Sequence, residues 1–115
     1  MIDLYDDQGR ATAFCDGRTI YLWEGRAVAY LLDDEVFAFS GRFIGWLIDG
    51  WIIDEEGHCL LFESDAVRGP GKPTRKGGAF KSIPRPPPPR CSRQAVPARP
   101  PGSAEWSDST FADLL

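Results

Sequence analysis

Four glycines, Gly9, Gly25, Gly41 and Gly57, stand sixteen residues apart with no insertion between them. Aligned on these glycines, segments 4–17, 20–33, 36–49 and 52–65 share two further columns. One is aliphatic (Leu4, Ile20, Val36, Ile52) and one is aromatic (Phe14, Tyr30, Trp46, Phe62). Three coincident columns mark an internal repeat. Sixteen residues are too few for a strand–helix or helix–helix unit. They suit a hairpin of two strands of roughly five residues each, with its turns.

The turn residues set the register. A two-residue type I′ turn needs positive φ before each glycine, where Gln8, Glu24, Ser40 and Glu56 stand. These residues disfavour the left-handed region. A type I turn closed by glycine in a G1 bulge asks positive φ of the glycine alone. The expected loops are therefore 7–9, 23–25, 39–41 and 55–57. That register sets Asp6 opposite Arg10, Asp54 opposite His58 and Tyr21 opposite Ala27. Asp16-Gly17, Asp33-Asp34 and Asp49-Gly50 supply tight turns between hairpins. The expected fold is all-β: eight short antiparallel strands in four hairpins around a pseudo-four-fold axis. A lone hairpin is unstable, and a ring of four removes exposed sheet edges.

The series "YLWEGRAVAY" and "FSGRFIGWLIDGW" resembles the bacterial domain known as the four-fold β-flower over residues 3–66. The resemblance implies a fold. It carries no activity and no site residue with it. The "YDDQGR" of Tyr5–Arg10 is also similar to the YD repeats of large toxin proteins, but only the first segment fits that pattern.

Composition divides the chain at the end of the repeat. Residues 1–66 hold 14 acidic and 4 basic side chains, whereas residues 67–101 hold 9 basic and no acidic ones. All 10 prolines follow residue 69. The expected organisation is a four-hairpin domain (1–66), a disordered basic Pro/Gly-rich linker (67–102) and a short acidic-aromatic motif (103–115). In that motif Trp106, Phe111, Leu114 and Leu115 form a candidate docking patch, for a partner or for this domain itself. One helical turn over 108–115, capped by Ser109, would bring the last three onto one face.

Arg10, Arg26, Arg42 and His58 follow the hairpin turns in one column. Guanidinium groups at one end of a ring suit an anion. The competing reading is local pairing of each with its own turn carboxylate, and the abundance of Asp and Glu favours it. His58 and Cys59 are strand neighbours and point to opposite faces, so they form no dyad. Cys15 and Cys59 are expected to be small buried hydrophobes. Three cysteines and one histidine, with no C-x-x-C, give neither a zinc site nor a disulfide framework.

No metal, nucleotide or other cofactor motif is present, and nothing argues for catalysis. The expected function is a non-enzymatic β-repeat scaffold or protein-interaction module with a tethered C-terminal docking motif. The alternative is small-ligand or carbohydrate binding in aromatic clefts between hairpins. A protein partner is expected, with weak nucleic-acid contact through the basic linker as a lesser possibility. Phe80 is the only ring in 67–101, so the linker lacks a base-stacking series. No signal peptide or membrane span is visible, which makes the cytoplasm the expected compartment.

Overall fold

The computed structural model describes residues 1–76 and 80–115. Its strands are β1 (Ile2–Tyr5), β2 (Ala11–Cys15), β3 (Thr19–Leu22), β4 (Ala27–Leu32), β5 (Glu35–Ala38), β6 (Phe43–Ile48), β7 (Trp51–Asp54) and β8 (Cys59–Phe62). Each pairs antiparallel with the next, and β8 returns to β1 to close the barrel. The closing seam is short and runs through the Tyr5–Phe62 pair.

The hairpin turns take the expected form. Gly25 N–H donates to the Leu22 carbonyl at 2.7 Å, and Leu22 N–H donates to the Arg26 carbonyl at 2.9 Å. The other three turns repeat this pair of bonds. Gly25 and Gly41 lie at φ +98° and +96°. The bulge shifts the register so that Tyr21 faces Ala27. Asp6 acts on the backbone and pairs with Arg10 across its hairpin, whereas Asp54 acts on the backbone and the His58 ring turns to Glu56 and Glu105 instead. Asp54 Oδ1 accepts the N–H groups of Glu56 and His58, each at 2.9 Å.

Two buried sets occupy opposite faces of the sheet. The aliphatic column Leu4, Ile20, Val36 and Ile52 packs with Ala13, Ala29 and Leu61. The aromatic column Phe14, Tyr30, Trp46 and Phe62 packs with Tyr21 and Phe37. The aromatic set is covered from outside the closed sheet by residues such as Lys81 over Phe14 and Arg90 over Tyr30, so the aliphatic set faces the axis. Small residues there let short strands approach across a narrow barrel. Cys15 belongs to the axial set and Cys59 to the outer one, both buried as free thiols.

The aromatic column is core, as expected. Its cover is the C-terminal segment.

Candidate functional site: a C-terminal strap and the face it covers

The described residues 74–76 and 80–107 meet the four hairpin turns in order. A Cβ added at Gly9, Gly25, Gly41 or Gly57 would meet the carbonyl of Thr74, Ile83, Ser92 or Pro101 respectively. The barrel positions are sixteen residues apart and the strap positions nine. A second repeat of nine residues therefore runs in step with the first.

Hydrogen bonds keep the same step. Lys76, Arg85 and Gln94 donate their backbone N–H to the carbonyls of Gly9, Gly25 and Gly41 at 3.0, 2.9 and 2.8 Å. Ser82 and Cys91 donate to Trp23 and Phe39 at 3.1 and 2.9 Å. The Gln94 side chain adds an acceptor, Oε1, 2.9 Å from Phe43 N–H. At the fourth crossing the strap pairs parallel to β8. There Cys59 N–H donates to Glu105 at 2.9 Å and Ser107 N–H to Cys59 at 2.8 Å.

Side chains of the strap lay cations on the outer rings. Lys81 Nζ stands 5.1 Å from the Phe14 ring centre and 5.3 Å from that of Trp23. The Arg90 guanidinium lies 3.9 Å from the Tyr30 centre. Arg75 and Arg93 cover Tyr5 and Phe37 at 5.6 and 5.7 Å. Ring faces attract cations most where water is excluded, at up to about 2 kcal/mol each. Lys72, Lys81, Arg90 and Arg99 form a basic column at nine-residue spacing. That column is a signal of the strap carried by the side chains of the segment itself. Its end members take other partners: Lys72 Nζ donates to the Ser64 and Ala66 carbonyls at 3.0 and 2.8 Å, and Arg99 pairs with Asp34 at 3.4 Å.

The acidic-aromatic end docks on its own barrel. Trp106 packs edge-on against Trp51 and Phe62 at 5.5 and 6.0 Å. Phe111 is only 2 % exposed and joins the axial cluster, with Leu114 and Leu115 against it. These residues thus divide between the two faces of the sheet. The expected helical turn shortens to a 3₁₀ turn, Ala112–Leu114. Its N-cap position is Phe111, not Ser109, with no side-chain cap bond; just ahead of it Thr110 and Asp113 bond reciprocally, Asp113 N–H donating to Thr110 Oγ1 at 3.2 Å and Thr110 N–H to Asp113 Oδ2 at 3.1 Å. The Thr110 N–H, and after it the Thr110 hydroxyl, hold the Asp113 carboxyl below its usual range.

Three members of the post-turn column pair with a carboxylate of their own turn, and Arg42 does not. Arg10 pairs with Asp6 and Arg26 with Glu24, both at 3.2 Å. His58 lies between Glu56 and Glu105 at 3.8 and 3.7 Å. Arg42, whose turn carries Ser40 where the others carry a glutamate or glutamine, reaches the Asp113 carbonyl at 3.5 Å. Beside it lies a cleft of about 140 Å³ lined by Ile44, Asp54, Glu55 and Leu114 among others. Burial pushes the Cys59 thiol up to about 11, with the Asp54 charge adding to the shift, and burial raises Cys15 as well. Neither is a nucleophile poised for reaction.

The sequence model of the 4-fold beta flower protein family matches residues 2–115. The chain belongs to the four-fold β-flower family. The match runs beyond the repeat at 3–66 and takes in the strap, so the β-flower's family unit includes the segment that the structure lays around the barrel. No curated protein and no solved structure matches the chain. No helix among the described residues of this β-flower is long and apolar enough to cross a membrane.

Proposed function

We propose that this β-flower is a non-enzymatic scaffold that holds exposed parts of its own strap in fixed positions for a partner protein. One observation supports the reading above the rest. The strap is tied by backbone hydrogen bonds at each crossing, while residues 81–99 stay exposed along their length. A tied, exposed segment binds with less ordering cost than a free one. The reading assumes a reducing cytoplasmic setting, in which Cys15, Cys59 and Cys91 remain thiols.

Small-ligand or carbohydrate binding in the aromatic clefts is the weaker reading. A ligand there would have to displace cations such as Arg90 from the rings they cover. Nucleic-acid contact is weaker for a similar reason, because Arg85 and Arg99 already face Glu24 and Asp34.

A photo-crosslinking residue at position 88 or 96 of the strap, and at Arg18 on a turn between hairpins, tests the proposal. Protein adducts from the strap positions and none from position 18 are expected. A glycan that shifts tryptophan emission, with no adducts from the strap, would overturn it in favour of the cleft reading.

A further inference from the structure

Between the second and third crossings the strap passes through Pro86, Pro87, Pro88 and Pro89, all exposed. Both ends are tied. Arg85 N–H holds the Gly25 carbonyl at 2.9 Å, and Cys91 N–H holds the Phe39 carbonyl at 2.9 Å. The prolines themselves have no N–H and add no anchor to the barrel.

The next interval of the strap shows what bridging requires. Residues 95–98, nine positions further on, read Ala-Val-Pro-Ala and lead from the third crossing to the fourth. One proline suffices there. The four-proline run is therefore not demanded by the distance between crossings.

Four prolines in a row fix φ near −65° and push each preceding residue towards the polyproline II region. The result is a three-residue-per-turn helix with ring ridges and solvated carbonyls, the form that aromatic-lined grooves read. Here the barrel orders it before any partner arrives. Arg85, 59 % exposed at its side chain, flanks the run and is paired with Glu24 at 3.7 Å, so recognition rests on the proline ridges.

We propose that Pro86–Pro89 is a pre-ordered polyproline II ligand for a partner protein carrying an aromatic-lined groove. This deepens the scaffold reading and rests on it.

The probes are SH3, WW and EVH1 domains, titrated into the full chain by calorimetry. Binding by at least one of them is expected. The paired change Pro87→Ala with Pro88→Ala should weaken it by about tenfold or more, while Pro97→Ala leaves it unchanged. Both variants should melt with the parent, since neither position donates to the barrel. A free peptide spanning 83–92 should bind the same domain several-fold more weakly than the full chain. The proposal is overturned if no domain binds below about 1 mM, if binding survives the paired change, or if the peptide binds as tightly as the chain. Binding of a DNA oligonucleotide in place of any domain would also overturn it. Crosslinks from position 96 would persist through such a failure and leave the scaffold reading standing.

Discussion

The carbonyl of Ser92 lies where the Cβ of any larger residue at position 41 would have to sit. Gly41 thus answers two demands, a left-handed turn and the close passage of the strap. Gly17, at φ +100°, answers only the first, with no atom within 4 Å of its would-be Cβ. Both substitutions to alanine carry backbone strain of about 1–3 kcal/mol. Only Gly41→Ala should also lift the strap. We expect a lower Tm for both, with Gly41→Ala the lower, and tryptic cleavage at Arg90 and Arg93 accelerated in Gly41→Ala alone. Equal cleavage in the two variants would count against the strap contact.

Tyr30 is fully buried, and its hydroxyl has no hydrogen-bond partner among the described residues. The ring, by contrast, carries Arg90 at 3.9 Å. Removing an unsatisfied hydroxyl is neutral or stabilising, whereas removing the cation costs about 0.5–2 kcal/mol. Tyr30→Phe should therefore melt at or above the parent, and Arg90→Ala below it. A double-mutant cycle of Arg90→Ala with Tyr30→Leu should show coupling. Additive losses would remove the cation–ring interaction from the account.

The barrel was legible because its repeat is written in side chains: Leu4, Ile20, Val36 and Ile52 inside, Phe14, Tyr30, Trp46 and Phe62 outside. The strap was not, because its repeat is written mainly in backbone. Thr74, Ile83, Ser92 and Pro101 share no side-chain chemistry, only a carbonyl set over a glycine. Proline content and charge are those of a disordered basic linker. One physical signal pointed the other way. Ala29 and Tyr30, or Val36 and Phe37, are apolar neighbours on opposite faces of a strand. A sheet apolar on both faces needs a second layer, and the C-terminal segment provides it.

Asp16 gives a pH dependence. Its carboxylate accepts the N–H groups of Arg18 and Thr19 at 2.9 and 2.8 Å and the Tyr21 hydroxyl at 3.2 Å. Burial works to raise its pKa, but these hydrogen bonds outweigh it and leave the group lowered. A depressed folded pKa contributes stability above the unfolded value, near 3.9, and loses it as pH falls through the folded value. Asp16→Asn should thus destabilise at neutral pH and converge with the parent in acid. Urea melts at pH 7 and pH 2.5 measure this; a constant difference between the two would show that the charge is not the cause.

The last prediction concerns residues 1–66 alone. All eight strands lie within them, yet Phe111 is buried against the axial set, and Trp106 packs on Trp51 and Phe62. Without the strap, the rings of Phe14, Tyr30 and Phe37 would face water, together with the glycine and aromatic carbonyls that now accept strap N–H groups. An exposed aromatic belt of that extent favours association over solution as a monomer. Loss of Phe111 by itself, as Phe111→Ala, should cost about 3–5 kcal/mol, because a ring leaves a packed site. The 1–66 fragment should therefore aggregate or melt well below the full chain. Adding a synthetic peptide of residues 70–115 should restore a soluble complex, with blue-shifted emission from Trp106. A fragment that stays monomeric with the parent Tm, and gains nothing from the peptide, would show that the barrel stands without its strap.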